Sequence, residues 1–74
     1  MSPLQLLDVR GLPPPEPFMQ IMAALAELPP HGSLRVLIHR EPFPLNEVLR
    51  EQGYRWQTLP QAAGEFEILI GRAA

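Results

Sequence analysis

Two segments of the sequence concentrate the side chains that could bind a ligand. They are Asp8, Arg10 and Glu16 in the first segment and His39, Arg40 and Glu41 in the second. Arginine suits bidentate contacts to carboxylates and phosphates, and histidine can exchange a proton near neutral pH. Each segment follows a short apolar run that predicts a β-strand. Parallel neighbouring strands end at the same edge of a sheet, where open α/β folds commonly bind ligands. The pattern therefore predicts a site for an anion or a carboxylate at that edge.

The same residues also have a purely structural interpretation. Asp8 can accept hydrogen bonds from the loop backbone, and Arg10 can pair with Asp8, Glu16 or Glu41. Prolines near both predicted helix starts remove N–H groups that an anion would use. These are Pro13, Pro14, Pro15, Pro17, Pro42 and Pro44. The sequence leaves open whether this edge is a binding site or a set of contacts that fixes the loops.

Few residues are suited to catalysis or to metal binding. The chain has no cysteine, which excludes disulfides, thiolate metal sites and cysteine nucleophiles. A metal site built from His39, Glu41 and Glu16 would lack the local spacing typical of ligands, and His31 lies in a turn at the opposite edge. A lone histidine at a strand end is more often a surface or hydrogen-bonded residue than a catalytic one. We therefore predict no catalytic residue, no metal and no cofactor, and a protein that is not an enzyme.

Hydrophobic periodicity predicts four strands and two helices in the order β-α-β-α-β-β. The predicted strands are Leu4 to Val9, Leu34 to His39, Tyr54 to Leu59 and Glu65 to Ile70. The first helix carries apolar residues at helical spacing, namely Phe18, Ile21, Met22, Leu25 and Leu28. It is predicted to start near Pro15 or Pro17 and to end at Pro29 and Pro30. The second helix carries Leu45, Val48 and Leu49, and Gly53 is predicted just after its C-terminus.

This order predicts an α+β two-layer sandwich formed by one domain, residues 1–74. A strand–helix–strand unit places its strands parallel with a right-handed crossover. The last two strands, joined by a short turn, should form an antiparallel hairpin. Both helices then cover one face of a mixed four-stranded sheet.

The other face of that sheet should be open. Its predicted residues are Arg35, Leu37, His39, Arg55, Gln57, Leu59, Glu65, Glu67 and Leu69. The three leucines are either scattered surface residues or part of a surface for a protein partner or a homodimer. Tyr54 and Trp56 alternate with this set and are predicted to lie in the core on the helix side.

Composition excludes some classes of partner. The net charge is −2, with six Lys+Arg against eight Asp+Glu, which argues against nucleic-acid binding. No apolar run is long enough to span a bilayer, and no basic-then-apolar signal peptide is visible at the N-terminus. We therefore expect a cytoplasmic protein with no membrane partner.

The segment from Leu7 to Leu12, which contains Asp8, Arg10 and Gly11, is followed by a proline-rich stretch. Together they resemble the signature of the TusA/SirA-like sulfur-carrier family, in which a similar stretch leads into a cysteine-proline-x-proline motif. Pro14 stands where the family has its cysteine, and Pro15 and Pro17 match the two prolines. The resemblance implies the same fold over nearly the whole chain. It also implies that the persulfide chemistry of the family is lost, because proline has no thiol.

A second segment resembles a cysteine-less branch of that superfamily, known as domain of unknown function 2249. It comprises His39 to Pro42, with Leu45 and then Gly53 to Arg55 downstream. Some members of that branch are fused to, or occur beside, hemerythrin-like and nitrogen-oxide-related proteins. The resemblance favours a non-catalytic interaction or regulatory module. The alternative is a small-ligand or anion-binding domain at the C-terminal edge of the first two strands, with a role in redox or nitrogen-oxide metabolism.

Overall fold

The computed structural model describes residues 4–40 and 43–72. Its strands are β1 (Leu4–Asp8), β2 (Ser33–Ile38), β3 (Tyr54–Pro60) and β4 (Phe66–Arg72). Its helices are α1 (Glu16–Ala26) and α2 (Phe43–Glu51), and a short 3₁₀ turn (Ala62–Gly64) joins β3 to β4. The predicted order β-α-β-α-β-β is confirmed.

The sheet has the strand order β1-β2-β4-β3. β1 and β2 are parallel, and β4 is antiparallel to both β2 and β3. The predicted crossover unit and the predicted C-terminal hairpin are therefore both present. β4 is inserted between β2 and β3, so β1 and β3 form the two edges of the sheet.

One hydrophobic core lies between the sheet and the two helices. Its buried residues are Val9, Ile21, Leu25, Leu28, Leu34, Val36, Ile38, Leu45, Leu49, Ile68 and Ile70. The strand members alternate along each strand and the helix members recur at helical spacing, as burial of one face requires. Tyr54 and Trp56 pack against this cluster from β3, as predicted. The predicted two-layer α+β fold, with both helices on one face, is confirmed.

Helix α1 ends earlier than its apolar pattern predicts. It stops at Ala26, although Leu28 is still buried. The N–H groups of Glu27 and Leu28 bond to the carbonyls three residues earlier, which tightens the last turn. The reason is that a residue before proline avoids the helical conformation, so Leu28 leaves the helix ahead of Pro29.

Gly11 and Gly53 are among the glycines in left-handed backbone positions, which other residues adopt at a cost. Gly53 has φ of 80° and follows the C-terminus of α2, as predicted. Gly11 has φ of 81° in the loop between β1 and α1. A Cβ at either position would meet no neighbouring atom, so lack of space does not explain the glycines. Both positions need glycine because of the left-handed backbone conformation.

The uncovered face of the sheet is more apolar than the sequence predicts. β1 adds Leu4 and Leu6, which are 61% and 64% exposed, to the leucines of the other strands. Glu67, predicted on this open face, is only 8% exposed. It lies between Leu37 and Leu59 on the adjacent strands, and Arg35 pairs with it at 2.7 Å. Neither helix of the described residues is long and apolar enough to cross a membrane.

Candidate functional site

A cleft of about 310 Å³ lies at the C-terminal ends of β1 and β2. It is lined by Leu12, Pro14, Pro15, Pro17, Phe18, Ile21, Ile38, His39, Arg40 and Leu45. The lining is apolar except at His39 and Arg40. A mostly apolar cavity with a few polar groups is the usual form of a small-ligand site, and this volume is at the lower end of the range for such sites.

The wall of the cleft comes from the loop that leaves β1 and from the first turns of α1. The Pro14–Pro15 peptide bond is cis, and Pro15 is the N-cap residue of α1. Phe18, 39% exposed, and the fully buried Ile21 follow on the inner side of the helix. Ile38 at the end of β2 supplies the opposite wall.

His39 joins the two loops at the rim of the cleft. The N–H of Gly11 donates a hydrogen bond to Nδ1 of His39, at 3.3 Å. In the neutral ring this acceptor role places the proton on Nε2. The contact orients the imidazole and fixes the β1–α1 loop against the end of β2.

Arg10 is engaged elsewhere. Its Nε and Nη2 donate to the two carboxylate oxygens of Asp8, at 2.9 and 2.8 Å, and its Nη1 donates to Glu65 at 3.1 Å. The backbone N–H of Arg10 also donates to Asp8. These hydrogen bonds from Arg10 lower the pKa of Asp8 from its usual 3.8 to about 2. The Asp8 and Glu65 carboxylates in turn raise the pKa of Arg10.

The contacts of Arg10 favour the interpretation that it fixes loops. A guanidinium that already binds two carboxylates has less capacity to bind an external anion. The link to Glu65 spans from the loop after β1 to the residue just before β4. It therefore ties together two segments that lie on either side of the end of β2.

The start of α1 has few free backbone N–H groups that could bind an anion. Prolines 14, 15 and 17 have no N–H, and the N–H of Glu16 donates to the carbonyl of Pro13 at 3.0 Å. The N–H of Met19 donates to the carbonyl of Pro15 at 3.1 Å. Phe18 is the one residue of the first turn whose N–H has no backbone partner in the described part of the chain.

The structure brings only some of the predicted site residues together. It places His39 and Arg40 together at the cleft, but it directs Arg10 to Asp8 and Glu65. Glu16 is exposed at the first position of α1 and does not line the cleft. Glu41 lies outside the described residues. Within 4–40 and 43–72, no three His, Asp or Glu side chains are grouped as metal ligands would be.

Sequence reasoning missed the apolar wall of the cleft and the role of Glu65. The wall could have been indicated by apolar residues in the loop after β1 and in the first turns of the two helices, namely Leu12, Phe18 and Leu45. Glu65 carried no local signal, because it lies 55 positions from Arg10 along the chain.

Residues 6–72 match a protein-family model described as an uncharacterized conserved protein, DUF2249. The chain belongs to this family. A solved SirA-like protein from Desulfitobacterium hafniense is similar to the DUF2249 chain, with 26% sequence identity and a TM-score of 0.81. The match covers 96% of this chain and 99% of that one. No curated protein matches at a significant level.

These findings confirm the TusA/SirA-like resemblance and the placement in its cysteine-less branch. The triproline segment leads directly into α1, where the family resemblance places a cysteine. Pro14 lines the cleft at that point. The DUF2249 chain thus has a SirA-like fold, with an apolar proline wall at the position of the family's thiol.

Proposed function

We propose that this DUF2249 chain is a non-catalytic interaction module that binds a partner protein through its uncovered sheet face. The observation that supports it is the apolar character of that face. Five leucines from all four strands lie on it, namely Leu4, Leu6, Leu37, Leu59 and Leu69. Leu4 and Leu6 are exposed, and the other three leucines are half-buried. Leucines grouped on one uncovered face mark interaction sites more often than isolated leucines do.

The charges of the face suit a protein partner. Arg35 lies between Leu6 and Leu69 in one cross-strand row, and Glu67 lies between Leu37 and Leu59 in the next. Their 2.7 Å ion pair neutralises both groups within the face. A partner can therefore cover the leucines of these two rows without leaving Arg35 or Glu67 as an unpaired buried charge.

The absence of a thiol supports the non-catalytic part of the proposal. Sulfur carriage requires a thiolate that attacks a persulfide, and the chain has no cysteine. In the described residues around the cleft, the ionisable side chains are His39 and Arg40, and neither is a sulfur nucleophile.

Substitution of Leu69 tests the surface. Leu69→Glu places a carboxylate beside Arg35 on the neighbouring strand, so the fold should tolerate it while the apolar face is interrupted. Met19→Glu, at a 61% exposed position on α1, is the matched control. Proteins cross-linked to the natural chain in lysate should be lost with Leu69→Glu and retained with Met19→Glu.

Two results would contradict the proposal. One is a chain that neither self-associates nor captures any protein at high concentration. The other is a set of captured proteins that survives Leu69→Glu in a variant whose melting temperature is unchanged.

A second candidate function is small-ligand binding in the cleft, favoured by the position of His39 and Arg40 at its rim. The lining suits a molecule with a short apolar body and one negative group, which would face Arg40. Titration of the ¹⁵N-labelled protein with small aliphatic carboxylates, phosphate, sulfate and nitrite tests this. Carboxylates should shift the amides of Ile38, His39 and Arg40, and Arg40→Gln should abolish the shifts. No shift at millimolar ligand would exclude the candidate.

A further inference from the structure

The two edges of the sheet differ in how their backbones are protected. An edge strand presents N–H and C=O groups that can pair with another strand, and proteins usually block it with proline, charge or a covering segment. The direction of these groups alternates along a strand. One cross-strand hydrogen bond therefore determines which residues point outward.

The edge at β3 is protected. The N–H of Gln61 donates to the carbonyl of Glu65 at 2.7 Å, so the backbone of Gln61 points inward, toward the neighbouring chain segment. By alternation Pro60 points outward, where a missing N–H blocks pairing. The guanidinium groups of Arg50 and Arg72 also lie over the rings of Trp56 and Tyr54, at 5.7 and 5.3 Å from the ring centres.

The edge at β1 lacks such protection from Leu4 to Leu7, within the described part of the chain. The N–H of Val9 donates to the carbonyl of Leu37 at 2.9 Å, so the backbone groups of Val9, and by alternation those of Leu7 and Gln5, point toward β2. Those of Leu4, Leu6 and Asp8 point outward. Among the described residues, no backbone or side-chain group bonds to the outward N–H or C=O groups of Leu4 and Leu6. No proline or charge occurs from Leu4 to Leu7.

We propose that β1 pairs antiparallel with β1 of a second copy of this chain, about a two-fold axis at Leu6. In this register the outward groups of Leu6 bond to those of the partner's Leu6, and those of Leu4 bond to those of the partner's Asp8. The pairing is self-complementary, as an isologous interface must be. It also places Asp8 opposite a leucine, so no like charges face each other.

The side chains support the same register. Leu4 and Leu6 are the most exposed large apolar residues on the sheet, and both lie on its uncovered face. Pairing at Leu6 brings the leucines of the two copies side by side across the new strand boundary. The two sheets then form one continuous surface, with an apolar stripe across its centre.

A pair of substitutions at Leu6 tests the inference. Leu6→Pro removes an outward N–H that β2 does not use, so the monomer should keep its circular dichroism spectrum and its amide spectrum away from β1. Leu6→Thr removes the leucine side chain but keeps the N–H. Light scattering across a concentration series should show a dimer for the natural chain and for Leu6→Thr. Leu6→Pro should raise the dissociation constant about tenfold or more, because both symmetric bonds at the axis are lost.

Hydrogen exchange supplies a second measurement on the natural chain. The amides of Leu4 and Leu6 should exchange more slowly as concentration rises, whereas the amide of Leu7, already bonded within the sheet, should not change. A natural chain that stays monomeric at millimolar concentration would overturn the inference. So would a dimer that Leu6→Pro leaves intact.

The inference goes beyond the proposed function, because pairing at the β1 edge leaves the sheet face uncovered and free to bind another protein. The two can fail separately. A monomer whose captured proteins are lost with Leu69→Glu would end the self-pairing and leave the proposed function standing. A dimer lost with Leu6→Pro, from a chain that captures nothing else, would support self-association alone.

Discussion

At the scale of single residues, Asp8, Arg10 and Glu65 show that charged residues whose pattern suggests ligand binding can instead hold loops together. The pairing of Arg10 with Asp8 was among the structural alternatives predicted, because they are only two positions apart in the sequence. The contact with Glu65 could not be predicted in the same way. It depends on β4 lying beside β2, which is a property of the sheet order.

The Asp8–Arg10 contact should be visible in an acid titration. The pKa of Asp8 is lowered to about 2 from 3.8, so the contact contributes stability fully above about pH 4 and loses it as the pH falls toward 2. The carboxyl carbon of Asp8, followed by NMR, should titrate near pH 2 in the natural chain. In Arg10→Gln its midpoint should return toward the ordinary value. A midpoint near 3.8 in the natural chain would show that the ion pair is absent in solution.

At the scale of elements, apolar periodicity was sufficient to predict every strand and helix, but local chemistry set their ends. The alternation in β2 identified the core face, because Leu34, Val36 and Ile38 are all buried. The end of α1 was placed too late, because the apolar pattern continues to Leu28 while Pro29 acts on the backbone one residue earlier. The contribution of Leu4 and Leu6 to the open face was missed because β1 is almost uniformly apolar, so its faces cannot be told apart by pattern alone.

The end of α2 provides a prediction at this scale. Gly53→Ala forces a Cβ into a left-handed position with φ of 80° and should reduce the free energy of unfolding by about 1–2 kcal/mol. Gly71→Ala is the control, because Gly71 lies in β4 with open space where the Cβ would be. It should leave stability unchanged or raise it by about 0.5–1 kcal/mol. Urea unfolding measures both. Equal effects at the two sites would contradict the role assigned to Gly53.

At the scale of the whole molecule, the fold is that of a SirA-like protein without the residue that reacts. Incubation with a small-molecule persulfide donor should leave the intact mass of the natural chain unchanged, because no thiol is present. Pro14→Cys is the control, since it places an exposed thiol at the position where the family resemblance has its cysteine. Mass spectrometry should detect added sulfur on that variant alone. A sulfur adduct on the natural chain would contradict the loss of carrier chemistry.

The strand order has a practical consequence for engineering. Leu4 and Gly71 are both aligned with Ser33, one from each side of β2, so the two ends of the described segment lie about 10 Å apart. The cleft is at the far end of the same strands. A short peptide could therefore link the first and last strands at the end of the sheet away from the cleft. New termini opened in the exposed turn at Ala62–Gly64 would lie next to Glu65, so this circular permutant would also show whether the Arg10–Glu65 contact is needed to hold the loop beside the cleft.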